Sequence, residues 1–119
     1  MARLRVDGDR LIVELQGWHR LLALRETLEI PISHITAVRP DPGLTLGWFD
    51  RLKLIGGYFP GELAVGTFLD DGDLVFFDVN DPANAIVVEL RDESWRRLVL
   101  EVKDPDATTR WLRPLLAAA

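Results

Sequence analysis

Along most of this chain the hydrophobic positions recur at every second residue, the period of a strand with one covered face. Leu11, Val13 and Leu15 share one side of an extended run, with Glu14 on the other. A shorter run from Arg3 to Val6 precedes it, separated by Asp7-Gly8-Asp9, a tight-turn signal. Leu28, Ile30 and Ile32 repeat the spacing within 27–32, a single turn fits 31–35, and Ile35 to Arg39 forms another short strand ended by Pro40-Asp41-Pro42-Gly43. Farther on, 62–69 and 74–79 flank Asp70-Asp71-Gly72-Asp73, where Asp-Gly suits a hairpin turn exposed to solvent. Asn80–Asn84, with Pro82, reads as a second turn. Ile86–Leu90 alternates with Glu89 outward, and Leu98, Leu100 and Val102 form an inward set with Glu101 outward.

Two segments change period. Trp18, Leu21, Leu22 and Ala23 or Leu24 fit one or two helical turns after the first long strand. Near the C-terminus Asp104 is placed to cap a helix, Pro105 suits its first position and Asp106 suits its positive end. Ala107, Trp111, Leu112, Leu115 and Leu116 then form an apolar stripe, with Pro114 expected to kink the last turns. Residues 42–60 are the least regular stretch, so they are expected to be functional or to hold minor structure of their own. The pattern predicts a mainly β domain with one closing α-helix: about seven short, mostly antiparallel strands in a small barrel whose open end the C-terminal helix covers.

Composition narrows the class. At 119 residues the chain suits one domain, and 48% hydrophobic with 28% charged residues is the balance of a folded globular protein. Fourteen basic against nineteen acidic residues give a net charge of −5, which argues against a binder that relies on nucleic-acid phosphates. There is no cysteine, which removes disulfides, thiolate metal sites and cysteine catalysis. No signal-peptide run follows Met1, and charges interrupt every stretch approaching the roughly eighteen apolar residues of a spanning helix, so a cytoplasmic location is expected.

Several segments together resemble the bacterial pleckstrin-homology-like (PH-like) family, particularly its small actinobacterial members. They are Trp18-His19-Arg20-Leu21-Leu22-Ala23-Leu24, Ile30-Pro31-Ile32-Ser33-His34-Ile35 leading into Val38, and Tyr58-Phe59-Pro60-Gly61 before Ala64-Val65-Gly66-Thr67-Phe68. Val75-Phe76-Phe77-Asp78-Val79, Arg97-Leu98-Val99-Leu100-Glu101-Val102 and the Asp104-Pro105 helix start complete the set, which covers nearly the whole chain. The resemblance implies a PH-like barrel, with Trp111 similar in placement to the tryptophan that plugs it. It implies no chemistry, because such barrels host lipid, peptide and protein binders alike.

The polar residues offer little catalysis. His19 and His34 lack partners at a metal-ligand spacing, Ser33-His34 point apart as sequence neighbours, and no Gly-x-Ser-x-Gly elbow exists. The Asp70–Asp73 carboxylates lack the spacing and distal glutamate of a calcium loop, and Gly56-Gly57-Tyr58-Phe59-Pro60-Gly61 lacks the ending of a phosphate-binding loop. No cofactor, metal or catalytic residue is therefore expected. Trp48, Phe49, Arg51, Lys53, Tyr58 and Phe59 are the candidate partner-binding residues, since aromatics and arginine concentrate at interface centres; the competing reading folds at least two of the four aromatics into the core. Arg20 and Arg25 are the candidates for anionic lipid, but they fall short of the roughly four to eight clustered cations of a lipid-binding surface. The expectation is a non-enzymatic module that binds a protein or peptide or associates with itself, with lipid-headgroup binding as the alternative.

Overall fold

The computed structural model describes residues 2–15, 27–41, 52–58, 64–70 and 72–118. Strand β1 (Ala2–Asp7) turns through Gly8 and Asp9 into β2 (Arg10–Leu15), with Asp7 opposite Arg10. Gly8 sits at φ +63°, the left-handed value that a two-residue hairpin turn asks of its first residue. β3 (Thr27–Pro31) pairs antiparallel with β2 and completes a three-stranded sheet in the order β1-β2-β3.

A 3-10 turn at Ile32–His34 passes the chain to β4 (Ile35–Pro40) in a second sheet. Short hydrogen bonds hold this corner. Ile32 N–H donates to Asp9 O at 2.8 Å and Arg91 N–H to His34 O at 2.8 Å. The Arg91 guanidinium donates twice to Ser33 O, at 2.7 and 3.0 Å. The second sheet also contains β5 (Leu52–Tyr58), β6 (Ala64–Asp70), β7 (Asp73–Val79), β8 (Ala85–Leu90) and β9 (Arg97–Glu101), ordered β4-β8-β9-β7-β6-β5. Helix α1 (Pro105–Ala118) follows β9 and packs on β4.

The described residues thus give a mainly β chain with a C-terminal helix, but the expected barrel of about seven strands is replaced by nine strands in two sheets. One cause is β5, which lies inside the stretch read as irregular and pairs with β6 across a register shift at Leu54/Gly56. Gly56 and Gly57 hide it from a reading based on alternating side chains. The other cause is β9, which inserts between β7 and β8, parallel to β7 and antiparallel to β8. An up-and-down barrel has no parallel neighbours.

The main core lies between the sheets. Leu11, Val13, Leu15, Leu28 and Ile30 meet Phe76, Ile86, Val88, Leu90, Leu98 and Leu100, and Leu112 of α1 joins them. Phe68, Val75, Phe77, Val79, Ala85, Val87 and Val99 form a second cluster on the opposite face of the larger sheet. The middle strands are therefore apolar at consecutive positions, as strands covered on both faces must be.

Two expectations about individual side chains are corrected. Glu101 is buried at 5% exposure instead of facing outward. Its carboxylate accepts the N–H groups of Asn80 at 2.8 Å and Asp81 at 3.2 Å, so the turn after β7 is organised around a buried acceptor. On α1, Leu112 is fully buried, whereas Trp111 is 39% exposed and does not plug the core. The buried face is completed by Thr108 and by Thr109, whose hydroxyl donates to Pro105 O at 2.8 Å. The Asp104 cap is present, its carboxylate accepting Ala107 N–H at 3.0 Å, and the helix continues through Pro114 to Ala118. The predicted short helix at 18–24 lies outside the described residues.

Two substitutions check these assignments. Leu112→Ala opens a cavity in the main core and is expected to cost about 2–5 kcal/mol, read as a lower urea midpoint. Trp111→Ala is expected to cost clearly less, and the reverse ranking would restore Trp111 as the core residue. Glu101→Ala leaves two amides without their acceptor and is expected to cost about 1–3 kcal/mol, while Glu101→Gln keeps an acceptor and is expected to cost less.

Candidate functional site

The exposed position of Trp111 marks an opening beside the first strand. A groove of about 560 Å³ is lined by Ala2, Arg3 and Leu4 of β1, by Val102, Lys103 and Asp104 of the link into α1, and by Thr108 and Trp111 of the helix. Thr108 and Trp111 share a helix face because they lie three residues apart. On β1, Ala2, Leu4 and Val6 share the face toward the core, and they emerge progressively from Ala2, which is buried, to Val6, which is 37% exposed.

The backbone of β1 also faces this opening. Among the described residues β1 pairs on one side only, with β2. Asp7 and Arg10 close a two-residue turn and form a hydrogen-bonded pair, after which bonded and non-bonded pairs alternate. Arg3, Arg5 and Asp7 thus spend their amides on β2, and Ala2, Leu4 and Val6 present theirs to the free edge.

Charge is uneven around the groove. Arg5 is engaged by Glu14 at 3.0 Å. Arg3 and Lys103 have no ion-pair partner among the described residues, and both are exposed. Asp104 is occupied as the helix cap. Among the described residues, a half-exposed indole, two open cations and a strand edge with no pairing strand therefore converge in one place.

The other polar clusters serve the fold. Arg97 reaches Asp70 at 3.4 Å and Glu89 at 3.9 Å, and Arg39 reaches Glu89 at 3.7 Å, giving a chain of alternating charge across β6, β9, β8 and β4. Asp70 is 3% exposed, which corrects the picture of a fully solvated Asp70–Asp73 turn. His34 Nδ1 lies 2.5 Å from Glu93, tying the corner between the sheets to the turn after β8. That turn contains Asp92 at φ +58° and borders a polar hollow of about 240 Å³. Among the described residues no group of histidines and carboxylates could hold a metal ion.

Of the residues singled out by sequence, Trp48, Phe49, Arg51 and Phe59 lie outside the described residues, as do Arg20 and Arg25 and also His19. Lys53 and Tyr58 belong to β5 at one edge of the larger sheet, opposite Leu69 and Val65. The groove residues were not singled out as a site, because Trp111 fitted the apolar stripe of its helix and Arg3 stands far from Lys103 in sequence. No helix among the described residues is long and apolar enough to cross a membrane.

Compared with known proteins, the chain matches no protein-family model, no curated protein and no solved structure.

The openness of the groove is measurable. Trp111→Phe is expected to remove an acrylamide-quenchable part of the tryptophan fluorescence. Trp95→Phe is expected to remove a shielded part, because Trp95 donates to Thr67 Oγ1 at 3.2 Å and stacks edge-on against Phe76 at 5.3 Å. Loss of a shielded component on replacing Trp111 would show the groove closed.

Proposed function

We propose that this chain is a non-enzymatic interaction module that receives a segment of another protein in the groove between β1 and α1. The observation that carries the reading is Trp111, a large aromatic left 39% exposed beside a strand edge that no described strand pairs. Aromatic anchors in concave, partly apolar surroundings supply much of the energy of protein interfaces. An edge strand beside a helix offers the backbone pairing by which extended segments are recognised.

The finer fold reading, a PH-like domain, is supported by the mainly β chain with its C-terminal helix; the parallel β7–β9 neighbours count against a plain up-and-down barrel. In this proposal the protein works in the cytoplasm without cofactor or nucleic acid. Trp48, Phe49, Arg51, Lys53, Tyr58 and Phe59 stay in the proposal as a second set of candidate contact residues.

A photo-crosslinking residue in place of Ala107, next to the groove on α1, tests the reading in cells. Protein adducts at 107 and none from a control at exposed Thr36 are the expected result, and equal labelling at both would remove the groove as the binding site. Co-sedimentation with vesicles separates the lipid alternative. Salt-sensitive binding to anionic vesicles that is lost on Arg20→Ala and Arg25→Ala would replace the protein partner with a membrane, and no binding is expected.

A further inference from the structure

The groove's own chemistry says what kind of segment it accepts. Resting on the groove reading above, we infer that the occupant is an extended acidic strand of a different protein, with apolar residues at alternate positions and Asp or Glu between them, paired along β1.

The strand edge sets the extended form. Ala2, Leu4 and Val6 turn their free backbone groups outward, and a partner strand would satisfy them at the usual spacing of about 4.8 Å. A volume of about 560 Å³ is that of a ligand cleft, room for a few residues and not for a folded element. Alternation follows from the strand itself. Successive side chains of the partner face Trp111 and Leu4 on one side and the solvent face of β1 on the other.

The charges set the acidic character. Arg3 stands on the solvent face of β1, where an acidic residue directly across the new pair would meet it. Lys103, the other open cation, lines the groove near Trp111. The rest of the chain is acidic, with a net charge of −5. Most of those carboxylates are screened beyond about 8 Å at physiological salt, and Asp104, which lines the groove, has its carboxylate engaged as the helix cap, so Arg3 and Lys103 set the local preference.

The same charges fit a second copy less well than an acidic strand. When two β1 strands continue one sheet antiparallel, the register centred on Leu4 sets Arg3 opposite Arg5 twice. The register centred on Arg5 sets Arg5 opposite itself while Arg3 meets Asp7 of the other copy, so only part of the face is complementary and Lys103 gains no acidic partner from β1. A flat anionic membrane is also a poorer fit, since two cations beside a concave cleft are fewer than the roughly four to eight that such a surface uses.

The test is a random peptide library displayed on phage and panned on the full chain. The enriched sequences are then synthesised and titrated by fluorescence anisotropy. Enrichment of alternating apolar and acidic peptides is expected. Their binding should weaken with added salt, fall about tenfold or more in Trp111→Ala, and shift toward Lys- or Arg-bearing peptides in Lys103→Glu. Circular dichroism and melting establish that each variant folds. Should Trp111→Ala fail to fold, Arg3→Gln and Lys103→Glu, both at exposed positions, carry the test. Enriched peptides that depend on Trp111 but show no acidic preference would overturn this inference and leave the groove reading standing. Peptides indifferent to every groove substitution would overturn both. Failure to enrich any peptide, with self-association in analytical ultracentrifugation that Trp111→Ala abolishes, would make the occupant a second copy. Vesicle binding abolished by Lys103→Glu would make it a lipid surface, and either result overturns the acidic strand.

Discussion

The position of β9 governs the rest of this structure. Held between β7, to which it is parallel, and β8, to which it is antiparallel, β9 turns Leu98 and Leu100 into the core toward the smaller sheet and Val99 into the cluster on the opposite face. A strand so enclosed cannot shift by one residue without exchanging its two apolar faces and exposing Glu101's amide partners. Glu101 fixes the end of β9 by accepting from Asn80 and Asp81, and Val102 N–H donates to Asn84 O at 3.0 Å. The chain therefore leaves the sheet at one defined point. Three residues after Glu101, Asp104 starts α1, so the register of β9 sets where the helix begins, which side chain it buries and where Trp111 emerges.

Much of the outer framework was legible from local chemistry. The Gly8 hairpin, the corner near 31–35 and the capped start of α1 each follow from residues adjacent in sequence, whose turn and cap preferences need no distant partner. The centre of the larger sheet was legible only as strands. Val75 to Val79 and Ala85 to Val88 are buried at every position, so alternation carries no information about faces or neighbours there. The parallel β7–β9 pair joins segments that no short-range signal connects. β5 escaped because its two glycines contribute no side chains to a pattern, and Glu101 because a carboxylate reads as outward unless its backbone donors are known.

The candidate site was illegible for a related reason. Helical periodicity assigns an arc to the apolar stripe but does not say where that arc meets the core. Leu112 stands at its centre and Trp111 at its margin, one residue and about 100° away. That difference turns a plug into a lip of a groove. The opposite wall comes from the first residues of the chain, brought there by the packing of one sheet on the other.

The helix treats the two strand edges near it differently, and that contrast is the strongest reason to regard the groove as more than a packing gap. Toward β4, Arg113 donates to Val38 O at 3.0 Å, so a side chain occupies part of that edge. Toward β1, among the described residues nothing pairs with the edge, and Trp111 stands beside it. An unpaired edge invites association, and charged side chains are a common defence. Arg3 and Arg5 supply such charges, and they oppose each other when a second β1 pairs in the register centred on Leu4. They do not defend against a strand of opposite charge. In the proposed complex Arg3, the arginine of β1 without an ion-pair partner among the described residues, favours Asp or Glu across the new pair. Selectivity of this sort needs no deep pocket and no catalytic group. It needs a strand held in register, an aromatic wall to anchor the partner and an edge left open; the hairpin with β2 holds the strand, and the exit of the chain from β9 places the wall.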